Sequence, residues 1–207
     1  MTPSSAGHKA ILDAAAKLFS ERGFEAVSVR ELAAIAGVSK ANIYHHFGSK
    51  RGLYLAVLKD TVDQTGMLLE TFSTGSESFK WRLTQFAQQH LQHILSNELG
   101  IRLLLREGLK DPQSNGKELA EEVVGQHFHH LTDLIRGGQE SGELRPDLDP
   151  AICANLLVGS HFFFFQSHNV VRHFPEGGFA NNPDSYSREV LDILLNGMSN
   201  PVEGGLS

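Results

Sequence analysis

Between Ser28 and Phe47 the chain reads SVRELAAIAGVSKANIYHHF, and the second half of that stretch gathers Lys40, Asn42, Tyr44, His45 and His46. An ammonium, an amide, a phenol and two imidazoles are groups that bond phosphate oxygens and the edges of bases, so nucleic-acid recognition is the first chemistry they suggest. A second chemistry is offered by His90 with His93 and by His127 with His130. Each is an i, i+3 pair able to present two imidazoles from one helical face to a metal ion. Neither pair has a cysteine beside it, and no HExxH accompanies them, so surface or pocket histidines are the simpler reading and no metal is assigned. Cys153 is the sole cysteine. It excludes an internal disulfide and reads as a small buried side chain rather than an oxidant sensor.

The elements that must position the first group can be read from periodicity. Ile11, Ala14, Ala15, Leu18 and Phe19 recur at helical spacing from about His8 to Arg22, and Gly23 ends that run. Ser28 with Glu31 three residues on forms a capping box for a short helix through Leu32, Ile35 and Ala36, which Gly37 stops. Ser39 caps a third short helix ending near Phe47. Two short helices around a glycine-containing turn are the arrangement that projects a second helix into a major groove. Val29, Leu32, Ala33, Val38 and Ile43 would form the seam between them, with Ala33 small where the helices cross and Phe47 in the core. The competing reading, an ordinary helical hairpin, sits badly with so polar an outer face on the third helix.

From Ser49 to about Phe72 a longer amphipathic pattern follows, then a loop over Ser73 to Ser78. Further helical patterns run through Trp81 to Leu95, from Ile101 to Leu109 and from Lys117 to Ser141. Asp149-Pro150 opens another that reaches about Arg172; a loop with Pro175, Gly177, Gly178 and Pro183 then precedes a last helix from Asp184 to Met198. The fold class expected is all-α with about nine helices. Residues 1–48 read as a helix-turn-helix domain, 49–200 as a second helical domain and 201–207 as a flexible tail.

Charge is divided the same way. The net charge of -6 conceals eight Lys/Arg against five Asp/Glu in residues 1 to 60, and ten against nineteen in the remainder. A mildly basic head on an acidic body suits a nucleic-acid reader with a separate second function. No run approaches the roughly 18 apolar residues of a membrane span, and Pro3, Ser4, Ser5 and Gly7 form no signal-peptide core, so a cytoplasmic protein with no membrane partner is expected.

The segment AAAKLFSERGFEAVSVRELAAIAGVSKANIYHHFGSKRGLYLAV resembles the N-terminal DNA-binding domain of the TetR/AcrR family of repressors, over about residues 8 to 60. The helix ending at ERGF, the capped second helix, the AGVSK turn, the Tyr-x-x-Phe pair and a lysine after the third helix carry the likeness together. The resemblance implies that Lys40, Ala41, Asn42, Tyr44 and His45 face the major groove, with Arg30 reaching in from the second helix. It implies that Ser28, Tyr44, His46 and Lys50 hold phosphates. Ile43 stands where the family commonly has leucine, and His45 and His46 where aromatics often stand; both departures leave the operator sequence open.

For the body, the resemblance implies a homodimer formed by the last two helices, an operator of palindromic half-sites and a small-molecule effector bound among the fourth to eighth helices. Along residues 150 to 172, Ile152, Leu156, Gly159 and Phe163 make one stripe and Ala151, Ala154, Val158, Phe162 and Phe165 another, more apolar surface than one core needs. Val190, Leu191, Ile193, Leu194 and Met198 are the matching candidates on the last helix. Leu68, Trp81, Phe86, His90, Ile101, Leu105, Val124, Phe128 and Phe162 are candidate effector contacts, although apolar residues at this spacing equally describe a packed core. Their phenylalanine content points to an apolar or aromatic effector. No catalytic residue and no cofactor is assigned; the rival readings are a metal-dependent enzyme in the body and a non-specific DNA-packaging protein.

Overall fold

A computed structural model describes residues 5–110 and 112–198, and the expected 201–207 tail lies outside them. The α-helices are α1 (Ser5–Arg22), α2 (Val29–Ala36), α3 (Lys40–Phe47), α4 (Lys50–Ser73), α5 (Phe79–Ser96), α6 (Glu98–Gly108), α7 (Pro112–Leu119), α8 (Gly125–Glu140), α9 (Pro150–Val171) and α10 (Pro183–Met198). A π-turn, Ala120–Val124, runs α7 directly into α8. Ten α-segments therefore make nine rods among the described residues, as periodicity predicts. The π-turn was not foreseen, nor was the 3-10 helix Gly177–Asn181 inside the loop before α10.

By spatial contact the chain divides into two compact units. The first comprises the residues up to Gln64 together with Asn97–Gly125; the second comprises Thr65–Ser96 and the described residues from Gln126 on. This division falls within α4 and brings α6, α7 and the π-turn to the same unit as α1 to α3. It cuts the chain elsewhere than the 48/49 boundary expected on functional grounds.

In the first unit Ile11, Leu12, Ala15, Leu18 and Phe19 of α1 are buried with Leu32 and Ala33 of α2, Ile43 of α3 and Leu53, Tyr54, Val57 and Leu58 of α4. Each such aliphatic side chain contributes roughly 1.5–3 kcal/mol of burial free energy. α6 packs against α1, and the Arg106 guanidinium donates to the Phe19 carbonyl near the end of α1. Beside that contact lies Glu107, whose carboxylate is wholly buried. It accepts hydrogen bonds from Arg51 Nη1 at 2.9 Å, Tyr54 Oη at 2.8 Å and Lys110 Nζ at 2.8 Å. Arg51 also pairs with Glu118. Burial works to raise the Glu107 carboxyl, but the bonds from Lys110, Arg51 and Tyr54 outweigh it and hold the group below its ordinary value.

In the second unit Phe79, Leu83, Phe86 and Ala87 of α5 share a core with Leu68, Leu69 and Phe72 of α4, Leu131, Leu134 and Ile135 of α8, Cys153, Ala154 and Leu157 of α9, and Leu191, Leu195 and Met198 of α10. Cys153 is thus the buried small side chain expected. Helix packing is tight at Gly138, where a Cβ would lie 2.9 Å from the Phe79 ring.

Glu107→Gln, which keeps the shape and removes the charge, is expected to lower stability in urea by about 2 kcal/mol at neutral pH. A carboxyl whose native value is lowered stabilises the fold above its unfolded value of about 4.3, and that contribution fades as pH falls through the native value. The difference between wild type and variant should accordingly shrink below about pH 4; a difference independent of pH would show that Glu107 is not ionised in the native state.

Candidate functional site

The frame of α2 and α3 is fixed by caps at both starts. Ser28 Oγ accepts from the Glu31 amide at 3.2 Å while Glu31 Oε2 accepts from the Ser28 amide at 3.0 Å, the capping box read from the sequence. These bonds from Ser28 hold the Glu31 carboxyl below its usual value, with a smaller contribution from Arg22, which pairs with Glu31 at 3.1 Å. Ser39 Oγ accepts from the Asn42 amide at 3.1 Å at the start of α3. Between the helices Gly37 adopts φ +67°, a left-handed conformation that costs a side chain of any size and lets the turn close.

Within this frame Leu32, Ala33 and Ile43 are buried, Val29 and Val38 half-buried. Ile35, which the amphipathic pattern placed on the apolar side, is 57% exposed. Phe47 was expected in the core and is instead half-buried, its ring 5.0 Å from that of His8. An aromatic ring carried by α1 covers it, a contact that the spacing within α3 could not signal.

The polar side chains lie on the open side. Ser28, Arg30, Lys40, Ala41, Tyr44 and His45 are exposed, Asn42 and His46 half-buried. His46 sits edge-on to His8 and His45, with ring centroids 5.8 and 5.5 Å away. Asn42 Oδ1 is turned inward, buried and without a hydrogen-bond partner. Pairing with adenine through both amide atoms therefore requires that side chain to rotate outward. Lys50 is already engaged: its Nζ lies 4.3 Å from the centre of the Phe24 ring and 3.3 Å from the Glu25 carbonyl. The first turn of α4 is capped by Ser49, whose hydroxyl accepts from the Gly52 amide at 2.9 Å.

The candidate effector contacts divide between the units. Leu68, Phe86 and His90 are buried in the second unit, where Phe162 is half-buried and 6.4 Å from His90 between ring centres. Trp81 and Phe128, in the same unit, are 46% and 41% exposed, too open for the walls of a closed cavity. Ile101, Leu105 and Val124 belong to the first unit. A groove of about 360 Å³ in the second unit is lined by Leu69, Glu70, Ser73, His130, Asp133 and Leu134, none of them among the candidate effector contacts, although His130 was singled out as half of an i, i+3 histidine pair.

On α9 the first stripe is the one left in solvent: Ile152, Leu156 and Phe163 are 59%, 52% and 67% exposed, with Val170 beyond them at 61%. Ala154 and Phe165 of the other stripe are buried, and Ala151, Val158 and Phe162 half-buried. On α10 only part of the expected set remains on the surface. Leu191 and Met198 are taken by the core of the second unit, Val190 and Leu194 are half-buried, and Ile193 is 71% exposed. Apolar spacing marked the helix but did not separate its two faces.

Two polar features escaped sequence reasoning. Glu107 was the one signal available for the first, an acid on the apolar side of α6 beside Leu103 and Leu104. The second is His161, hidden in the run before Phe162 to Phe165, which meets His90 inside the protein.

A capped helix-turn-helix with a polar, solvent-facing second helix, attached to a separate all-helical unit, defines a DNA-binding regulator. Residues 11–57 match the family model for bacterial regulatory proteins of the tetR family. The chain is 26% identical over 193 residues to the HTH-type transcriptional repressor KstR2 of Rhodococcus jostii, covering 92% of this chain and 90% of that protein. It is 26% identical to the HTH-type transcriptional regulator UidR of Escherichia coli over 155 residues, 72% of this chain and 74% of that one. The fold is shared with the ketosteroid transcriptional regulator KstR2 of Mycobacterium tuberculosis at a TM-score of 0.65 and 22% identity, over 97% and 98% of the two chains. Residues 11–57 thus carry the DNA-binding domain of the bacterial tetR-family regulators, and similarity to HTH-type transcriptional regulators extends over most of the chain. The chain is a DNA-binding regulator and not an enzyme, and the metal-dependent enzyme is set aside.

Ser28→Ala removes the half of the capping box that depends on its hydroxyl, leaving the backbone bond to Glu31, and should cost about 1 kcal/mol of stability, measured by thermal or urea unfolding. An unchanged midpoint would mean that the frame of α2 does not depend on this cap.

Proposed function

We propose that the chain is a repressor that binds an approximately palindromic operator as a homodimer in the cytoplasm and is released by a small, apolar or aromatic effector. The observation that carries the DNA reading is the open polar side of α3, held on a buried seam. Lys40, Ala41, Asn42, Tyr44 and His45, with Arg30, are its base-reading candidates; Ser28, Tyr44, His46 and Lys50 its phosphate contacts. Residues 1–48 are the DNA-binding head and 49–200 the effector and dimer part.

The exposed stripe of Ile152, Leu156, Phe163 and Val170 supports a two-fold interface through the last two helices, to which α10 brings Ile193. Open space beside Gly159 lets a partner helix approach closely there. The apolar effector is supported by the aromatic content of the second unit and by a relative named for a ketosteroid. Of the candidate contacts, Leu68, Phe86, His90 and Phe162, buried or half-buried in the second unit, are the ones retained. Binding of effector and of operator are linked, so each weakens the other by the same factor, typically 5- to 150-fold.

Selection from random duplex DNA at physiological salt should yield a palindromic consensus that the Lys40→Ala, Asn42→Ala double variant fails to select. No enrichment from a folded protein would sink the reading. Separately, Ile152→Glu with Phe163→Glu should halve the mass in sedimentation while leaving the helical signal of the protomer; a variant that stays dimeric would remove the interface from α9.

A further inference from the structure

In the second unit the apolar layer formed by Phe86 on α5 and Leu157 on α9 gives way, one turn further along both helices, to two imidazoles. His90 is 3% exposed and His161 0%. Their Nδ1 atoms face each other at 2.9 Å. Phe86 stacks on His90 at 5.3 Å between ring centres, and Phe162 meets it edge-on. Burial holds both rings uncharged: His161 is lowered to about 4, and His90 well below its ordinary value by burial first and then by the neighbouring His161 and His93.

A neutral imidazole carries one N–H, so across the Nδ1 contact one ring donates and the other accepts. If His161 accepts there, its Nε2 carries the hydrogen; if it donates, its Nε2 offers a lone pair. In either arrangement His161 Nε2 is a polar atom, and it is buried without a hydrogen-bond partner. Leaving such an atom unpaired is costly, because it gives up its hydration and gains no partner in exchange. The two helices that carry the pair bring little charge to it. α9 has no Lys, Arg, Asp or Glu over its 22 residues, and the cations of α5, Lys80 and Arg82, lie two turns or more before His90. A carboxylate placed beside the pair would have no cation on either helix to compensate its burial.

We propose that the His90–His161 pair is the polar anchor of the effector site, and that the ligand it takes is a neutral, largely apolar molecule whose single hydroxyl or carbonyl group bonds His161 Nε2. The inference rests on the reading of the second unit as the effector-binding part. Because the proton between the rings can sit on either partner, one anchor serves a donor or an acceptor. The aromatic rings of Phe86 and Phe162 supply the apolar wall.

Three probes of one shape test this on the full-length protein: 2-naphthol, 2-methylnaphthalene and 2-naphthoate, with binding measured by calorimetry and the imidazole nitrogens followed by NMR of histidine-labelled protein. The expected order puts naphthol about tenfold tighter than methylnaphthalene, the free-energy equivalent of one hydrogen bond, with naphthoate weakest. Naphthol should shift the His161 Nε2 resonance. His161→Phe should bind naphthol and methylnaphthalene alike, and His161→Gln should retain part of the preference. Equal binding of naphthol and methylnaphthalene by the wild type, or a preference that survives in His161→Phe, overturns the anchor; naphthoate binding tightest overturns the neutral class. Failure of all three to bind overturns the effector reading beneath it. If His161→Phe does not fold, the wild-type preference and the His161 resonance decide.

Discussion

A buried carboxylate has to be surrounded by donors, and in the first unit this requirement at Glu107 organises residues from several parts of the chain. The donors are Arg51 and Tyr54, in the first turns of α4, and Lys110, beyond the end of α6. Tyr54 in turn meets Phe19 and Phe24 with ring centres 5.2 and 5.0 Å away. Phe24 carries the Lys50 ammonium on its face. A single acidic side chain on α6 is thereby connected to the end of α1, to the loop before α2 and to the start of α4, the residues that surround the recognition element. Removing any one donor leaves charge unpaired in a low-dielectric setting, so the set stands or falls as a group.

That arrangement explains why α3 can be so polar. An eight-residue helix with one fully buried side chain, Ile43, has little packing of its own. Its position is imposed by the Ser39 cap, the Gly37 turn and the seam with α2, leaving its outer side free for chemistry instead of packing. α9 follows the opposite strategy, being apolar on all sides. Ala154, Leu157, Phe164 and Phe165 turn inward while Ile152, Leu156 and Phe163 turn to solvent, so that one side of the helix serves the core and the other is left open.

Most of the helices were legible because their punctuation is strong: Ser28 with Glu31, Ser39, Gly37 and Asp149-Pro150 each mark an end that the structure keeps. What periodicity could not supply was facing. Ile35 and Leu191 are alike in sequence pattern, yet one is in solvent and the other in a core, since the outcome depends on which helix comes alongside. The π-turn at Ala120–Val124 left no trace in composition, because one extra residue in a turn changes backbone bonding and not residue type. His90 was suspected for the wrong partnership: spacing along α5 suggested His93, whereas its contact is with His161, 71 positions away. Long-range polar pairs are invisible to local pattern for that reason.

The size of that contact matters for regulation. Coupling between effector and operator of the usual strength requires only about 1–3 kcal/mol of differential binding between two conformations. Pairing one buried, partnerless nitrogen is worth a similar amount, about 1–3 kcal/mol. A ligand group that reaches His161 Nε2 in one conformation and not in the other would therefore account for the whole of such a coupling. Apolar contacts add affinity, but they add it to both conformations unless the walls differ, and binding that is equal in both states shifts nothing. With the His90–His161 pair as the proposed anchor, the aromatic walls would set how tightly an effector binds, and the histidine pair would set whether its binding is felt at the DNA.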